Sequence, residues 1–314
     1  MRTMWTDSNR LAVLLAGLWL TPGASAQSSR PAEGGPAAVA SRQALAESAP
    51  PAAAAGRNFF GLPAAELEEP IVTDRPDFTE STLAVPHGHI QVESGYTFTF
   101  DREHRDRSRD HTAPEFLYRI GLWEEFELRI SWLGYSWRED QFETRTRHGR
   151  RVSREAWTQG ANDIGLGFKQ HFWDQSGWRP DLGVIVETSV PSGSGDLTSG
   201  DVDPGVKLLW AYDLTDTWSL AGNLNAAVPT ERTHRFFQVS NSVSLAAAWT
   251  DRLGTYCEYF GFYPNTHHGD CAHYLNGGFT ILLTPDVQLD FRAGVGLNEE
   301  ADDFFAGAGL SFRL

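Results

Sequence analysis

Only two cysteines occur in the 314 residues, which excludes a disulfide-dense scaffold and the multi-cysteine zinc modules. Long apolar runs are also missing. No stretch approaches the roughly 20 consecutive apolar residues of a membrane-spanning helix, and mean hydropathy is −0.36. Positive charge is scarce: 41 Asp and Glu stand against 26 Lys and Arg, for a net charge of −15. Phosphate binding needs a basic footprint, so nucleic acid is excluded as a partner. No strand-like stretch places a His near a Ser at nucleophile-like spacing. Neither an enzyme nor a bound cofactor is expected.

The front of the chain sets a compartment. Arg2 and Arg10 precede an apolar run over residues 11–20, and Ala24, Ser25 and Ala26 supply small residues before Gln27. This layout predicts a secretory signal peptide over residues 1–26. Residues 27–60 are rich in Ala, Pro and Ser and lack apolar periodicity. Such a stretch cannot offset its ordering entropy and is expected to be a disordered leader.

From residue 88 onward the pattern has period two. Ile90, Val92, Tyr96, Phe98 and Phe100 alternate with His89, Gln91, Glu93, Thr97 and Thr99. The same alternation returns in about twelve stretches. Phe126, Leu128 and Ile130 oppose Glu127 and Arg129; Leu166 and Phe168 oppose Lys169; Val206 and Leu208 oppose Lys207. It blurs over residues 256–262, where aromatics flank Glu258 on both faces, and it closes with residues 305–314. Connections alternate between short turns (123–125, 174–177, 213–217, 251–252, 284–286) and longer polar loops (101–112, 139–158, 191–201, 229–235, 264–270). That asymmetry predicts an all-β fold: a transmembrane, antiparallel, up-and-down β-barrel over residues 88–314.

A soluble sandwich or lipocalin-like barrel shows the same alternation. Two features weigh against it. Gly165, Gly167, Gly205, Gly294, Gly296, Gly307 and Gly309 crowd the polar faces, as a narrow interior requires. Trp123, Trp137, Trp173, Trp178, Trp210, Trp218, Trp249 and Tyr259 sit near strand ends, where interfacial girdles lie. Each Arg or Lys turned toward mid-bilayer lipid costs roughly 2–4 kcal/mol. The polar face must therefore be the lumen. It carries Glu93, Arg119, Glu127, Arg129, Asp163, Lys169, Glu187, Lys207, Glu258, Asp290 and Arg292. Those charges either line a permeation path or form an interior salt-bridge network, since buried charges persist only when paired.

Other constellations are weaker. Residues 61–87 precede the first strand and include Asp74, Arg75 and Asp77, which either plug the lumen or form a periplasmic collar. His267, His268, Asp270 and His273 cluster on one outer loop as a weak metal candidate, although such polar loops are usually just solvated. Asp196, Asp201 and Asp203 match no EF-type calcium spacing. Cys257 and Cys271 flank Pro264 symmetrically, so a hairpin centred there sets them opposite within disulfide reach; two free thiols are the alternative.

Several stretches carry a resemblance: residues 72–80 (VTDRPDFTE), 86–95, 134–137, 163–169, 202–210, 273–280 and 283–312. Together they resemble the bacterial outer-membrane "transporter" family named for the MetA pathway of phenol degradation, over roughly residues 71–314. The resemblance implies a barrel of about twelve strands passing small solutes, with hydrophobic or aromatic compounds among the candidates. It carries no catalytic motif. The chain departs from the family pattern at Cys257 and Cys271, where aliphatic or small residues are expected. It departs again in an Arg-rich loop stretch (Arg145, Arg147, Arg150, Arg151, Arg154). Gly309, Phe312 and Leu314 resemble the signal read by the barrel-assembly machinery, so that machinery and outer-membrane lipid are expected partners. A structural or adhesive barrel that does not conduct is the alternative function, and an outer-membrane phospholipase a more distant one.

Overall fold

The computed structural model describes residues 56–145, 151–231, 234–265 and 270–314, together with the backbone of residues 23–24. The expected signal peptide and most of the expected leader lie outside the described residues.

Fourteen strand segments build one closed wall: β1 (Ile90–Glu103), β2 (Asp106–Trp123), β3 (Phe126–Trp132), β4 (Tyr135–Arg145), β5 (Arg151–Ala161), β6 (Ile164–Trp173), β7 (Asp181–Val190), β8 (Asp203–Asp213), β9 (Trp218–Ala227), β10 (Gln238–Ala248), β11 (Leu253–Pro264), β12 (Ala272–Thr284), β13 (Val287–Gly296) and β14 (Phe304–Arg313). Each is antiparallel to its neighbours, and β14 zips onto β1 with Phe312 opposite Val92. The lower half of β2 pairs with β3 and its upper half with β4, so β3 and β4 occupy one strand position. β5 and β6 likewise form one position interrupted at Asn162 and Asp163. Closure thus involves twelve strand positions, an outer-membrane β-barrel of the expected size.

Five short turns gather on one rim, between β2 and β3, β6 and β7, β8 and β9, β10 and β11, and β12 and β13. They are the short connections expected on the periplasmic side. At the other rim the expected loops over 101–112 and 139–158 prove to be largely strand. β1 and β2 meet in a tight turn at residues 104–105, level with Glu143 near the end of β4. Polar and charged residues stand on both faces of these extensions, so no apolar alternation marked them.

The inside-out pattern decides the environment. Leu208 is 40 % exposed on the outer surface, whereas Lys207 beside it is 2 % exposed. Leu166, Phe168, Val206, Leu224, Val243, Leu275 and Phe291 share the outer face; Glu127, Lys169, Asn223, Ser242 and Asp290 are buried inside. Outward Trp123, Trp173, Trp178, Trp218 and Trp249 ring the short-turn rim, and Trp137 and Trp157 lie toward the other, as interfacial girdles do. Among the described residues no helix is long and apolar enough to cross a membrane.

Candidate functional site: a charged lumen threaded by residues 71–86

The segment before β1 runs through the barrel. Its backbone and side chains reach inward residues of β1, β2, β3, β6, β8, β9, β10, β11 and β13. No position outside the cylinder could touch so many strands at once. It is anchored at the periplasmic rim by the Ile71 N–H, which donates to the Pro285 carbonyl at 2.7 Å.

Three groups of contacts hold it. The first is a charge network on β1, β2, β3, β6, β7 and β8. Arg119 forks onto Glu127 with two 2.9 Å bonds and reaches Glu93 at 3.1 Å. Arg129 donates to Glu127 at 2.8 Å, to Glu80 at 2.9 Å, and to Asp74. Lys169 donates to both Asp74 oxygens at 2.9 Å, and Lys207 bridges Glu80 at 3.0 Å and Glu187 at 2.9 Å. Paired charges of this kind survive burial because each ion lies against one or more of opposite sign.

The second group centres on Arg75, which donates to Glu115 at 2.6 Å and to Asp290 at 3.4 Å. Only glycine fits where its guanidinium lies against the wall. A Cβ on Gly95 or Gly309 would overlap it. The third group sits higher. Glu258 accepts from the Phe78 and Thr79 N–H groups at 2.7 and 2.6 Å and from Asn276 at 3.0 Å. Ser244 donates to Asp77 at 3.0 Å. Above it Phe78 stacks on Phe260 with ring centroids 4.7 Å apart, inside an aromatic cluster completed by Phe262, Tyr274 and Phe305.

Of the eleven expected lumen residues, Glu93, Arg119, Glu127, Arg129, Lys169, Lys207 and Glu187 come together in the first group. Asp290 and Glu258 join the second and third. Arg292 donates to the Pro76 carbonyl at 3.1 Å and to Thr97 at 2.9 Å. Asp163 is the exception. It lies in the break between β5 and β6 and accepts from the N–H groups of Ser192, Gly193 and Ser199, pinning a loop. Glu80 and Glu115 complete the charge balance and were not singled out by the pattern. Glu115 shared the polar parity of Arg119, a usable signal; Glu80 lies in a segment with no periodicity.

The remaining candidates are the two cysteines and the outer-loop histidines. Cys257 and Cys271 are free thiols, the second of the two expected arrangements, because the β11–β12 register is not centred on Pro264. Cys257 consequently faces Gly277, not Cys271. In the outer-loop histidine cluster, His267 and His268 lie outside the described residues, while Asp270 is exposed and His273 bonds the Tyr259 hydroxyl at 2.7 Å. Asp201 is bridged to Arg235 at 2.8 Å and Asp203 accepts from Thr230 at 2.6 Å.

A closed twelve-position wall with an apolar exterior, girdles at both rims and ionised groups on its axis defines an outer-membrane β-barrel. The family model described as "Putative MetA-pathway of phenol degradation" matches residues 73–314, and the chain belongs to that family. Among solved structures it is similar to the COG4313 outer membrane channel from Pseudomonas putida F1 (TM-score 0.54, 13% identity, covering 74% of this chain and 98% of that one). Weaker similarity extends to the translocator domain of the autotransporter NalP from Neisseria meningitidis (TM-score 0.46, 9% identity, 72% and 88% covered). It extends also to the CymD monoaromatic hydrocarbon channel (TM-score 0.39, 9% identity, 72% and 87% covered). No match was found among curated proteins.

Proposed function

We propose that the chain is an outer-membrane channel for small solutes whose lumen is plugged by residues 71–86. The observation that carries this reading is the occupant of the lumen. A wall that needed no passage could be filled by its own side chains, as eight-stranded barrels are. Here a separate piece of chain fills a wider cylinder through polar and ionic contacts, which can exchange with water as it shifts. Beside it a cavity stays open, bordered by Glu187, Ser189, Asp203, Gln238 and Ser240.

The aromatic cluster supports hydrophobic or aromatic compounds as solutes. Withdrawal of Phe78 leaves Phe260, Phe262, Tyr274 and Phe305 bare toward the lumen, a surface suited to a flat apolar ligand. Planar-bilayer conductance of the refolded full chain, compared with a variant lacking residues 61–87, tests the proposal. Larger single-channel conductance is expected on deletion. Unchanged conductance removes the plug, and no conductance from either protein leaves the non-conducting structural barrel.

A further inference from the structure

On the periplasmic rim, below the lumen network, a second constellation forms around His171. β6 carries a bulge there: His171 pairs with Gly183, but Trp173 pairs with Leu182. A bulge sets two residues against one, so the alternation slips by one position. Phe172 and Trp173 both face outward as a result, at 49 % and 39 % exposure. Asp174 is thereby returned to the side where His171 already lies buried. Asp181, at the start of β7, meets them from the adjacent strand.

The geometry is specific. His171 Nε2 lies 3.1 Å from Asp181 Oδ1 and 3.9 Å from Asp174 Oδ1. The three ligand atoms fall within 4.8 Å of one another. On the far side of the ring, Nδ1 is bound by the Glu125 carboxylate. Glu125 holds the turn between β2 and β3 at φ 62°, left-handed for a residue with a side chain, and its carbonyl accepts from the His171 N–H at 2.9 Å.

We propose that His171, Asp174 and Asp181 form a site for one divalent ion of the zinc type, with Glu125 orienting the imidazole. Ligands bound at roughly 2.0–2.2 Å with tetrahedral angles stand about 3.3 Å from one another. The observed separations straddle that value, and the exposed Asp174 carboxylate on its turn can close the longer one. The Glu125 carboxylate fixes a proton on Nδ1, the usual support of a ligating histidine, and Nε2, which hydrogen-bonds Asp181 at 3.1 Å, exchanges its own proton for the metal.

The surroundings suit a cation. Three carboxylates around one imidazole leave negative charge in excess whichever way the ring is protonated. Nearby cations are engaged elsewhere: Arg179 lies over the Trp173 ring and donates to the Asp174 backbone carbonyl, while Lys169 is held by Asp74. Binding replaces any proton on Nε2, which passes to solvent. The ion would tie the 174–180 turn and β7 to the neighbouring turn, stiffening the wall where the Thr82 carbonyl packs on Gly183.

The test uses the tag-free full chain in detergent, carrying His267→Ala and His268→Ala to remove the outer-loop histidines. Titration with zinc chloride by calorimetry is expected to give one equivalent, with a heat that varies with buffer ionisation as a proton is released. His171→Gln and Asp174→Asn should abolish or strongly weaken that site, and Glu125→Gln should weaken it about 10–100-fold. Asp174 is exposed, so its variant reports even if His171→Gln fails to fold. Absence of zinc uptake by the background protein, or unchanged affinity in the Asp174 variant, overturns the proposal.

Discussion

Arg119 of β2 and Arg129 of β3 stand directly opposite each other in the sheet register, two like charges on adjoining strands of one lumen wall. Cross-strand pairs of like charge are destabilising. Glu127 lies between them and binds both, Glu93 adds a second wall carboxylate to Arg119, and Asp74 and Glu80, brought in by the threaded segment, add two more. Arg75 makes the reverse contact, a cation of the segment set between Glu115 and Asp290. The wall is thus basic on one side and acidic on another, and the segment carries the complementary sign to each.

That complementarity makes Asp74 the most costly residue of the segment to neutralise. Asp74→Asn leaves Arg129 and Lys169 short of a buried counter-charge, and breaking such a pair costs about 3–5 kcal/mol. Urea unfolding of the vesicle-inserted protein is expected to show the loss. Conductance should rise in the same variant, because the segment is then less firmly held.

Glycines on β1 and β14 give a separate handle on the same contact. Gly95→Leu and Gly309→Leu place side chains where the Arg75 guanidinium lies, and at Gly309 the added carbon also presses on the Asp290 carboxylate and the Ser94 carbonyl. Both are expected to raise conductance while the barrel still migrates as folded in unheated gel samples. Arg75→Ala in the Gly309→Leu background should add little further.

Asp302 offers a pH dependence outside the membrane-spanning strands. Burial, with Asp101 and then Asp110 adding repulsion against the opposing pull of Arg138, pushes its carboxyl up to about 7. The folded loop therefore holds a proton that the unfolded chain has already lost above about pH 4. Its stabilising contribution is fully present below that unfolded value and declines as pH rises toward and through 7. Protection factors of residues 297–303, corrected for the intrinsic exchange rate at each pH, should be higher at pH 5.5 than at pH 8, and Asp302→Asn should flatten the difference.

The lipid face can be tested with one charge and one thiol. Leu208→Arg puts a guanidinium into hydrocarbon, and at mid-bilayer depth this costs roughly 2–4 kcal/mol. Refolding yield into vesicles should fall accordingly. Cys257 is exposed on the outer wall, so a membrane-soluble maleimide is expected to label it in vesicles faster than a charged, impermeant one.

Alternation made most of the wall legible. Lys169 between Phe168 and Gln170, or Lys207 between Val206 and Leu208, can face only one way once the other side is hydrocarbon. Reading failed where that two-sided contrast disappears. The outer ends of β4 and β5, residues 139–143 and 151–156, carry no apolar alternation, so their charged residues read as loop. Phe260, Tyr274 and Phe305 turn inward beneath Phe78, which an apolar-outside rule cannot foresee. At His171 a single bulged residue reversed the parity, and nothing in the composition around it announces a bulge.

Period-two hydropathy, aromatic placement and the rhythm of turns by themselves determined a membrane cylinder and the direction of its charges, because lipid penalises each misplaced ion independently of its neighbours. Which charges meet was decided only by closure. Asp74 reaches Lys169 and Arg75 reaches Asp290 because a closed sheet brings distant strands around one axis where the threaded segment lies, and His171 reaches Asp181 because a bulge shifts the register of two neighbouring strands. Pairing across that axis depends on shear, bulges and the path of an aperiodic segment, none of which leaves a local pattern in the chain.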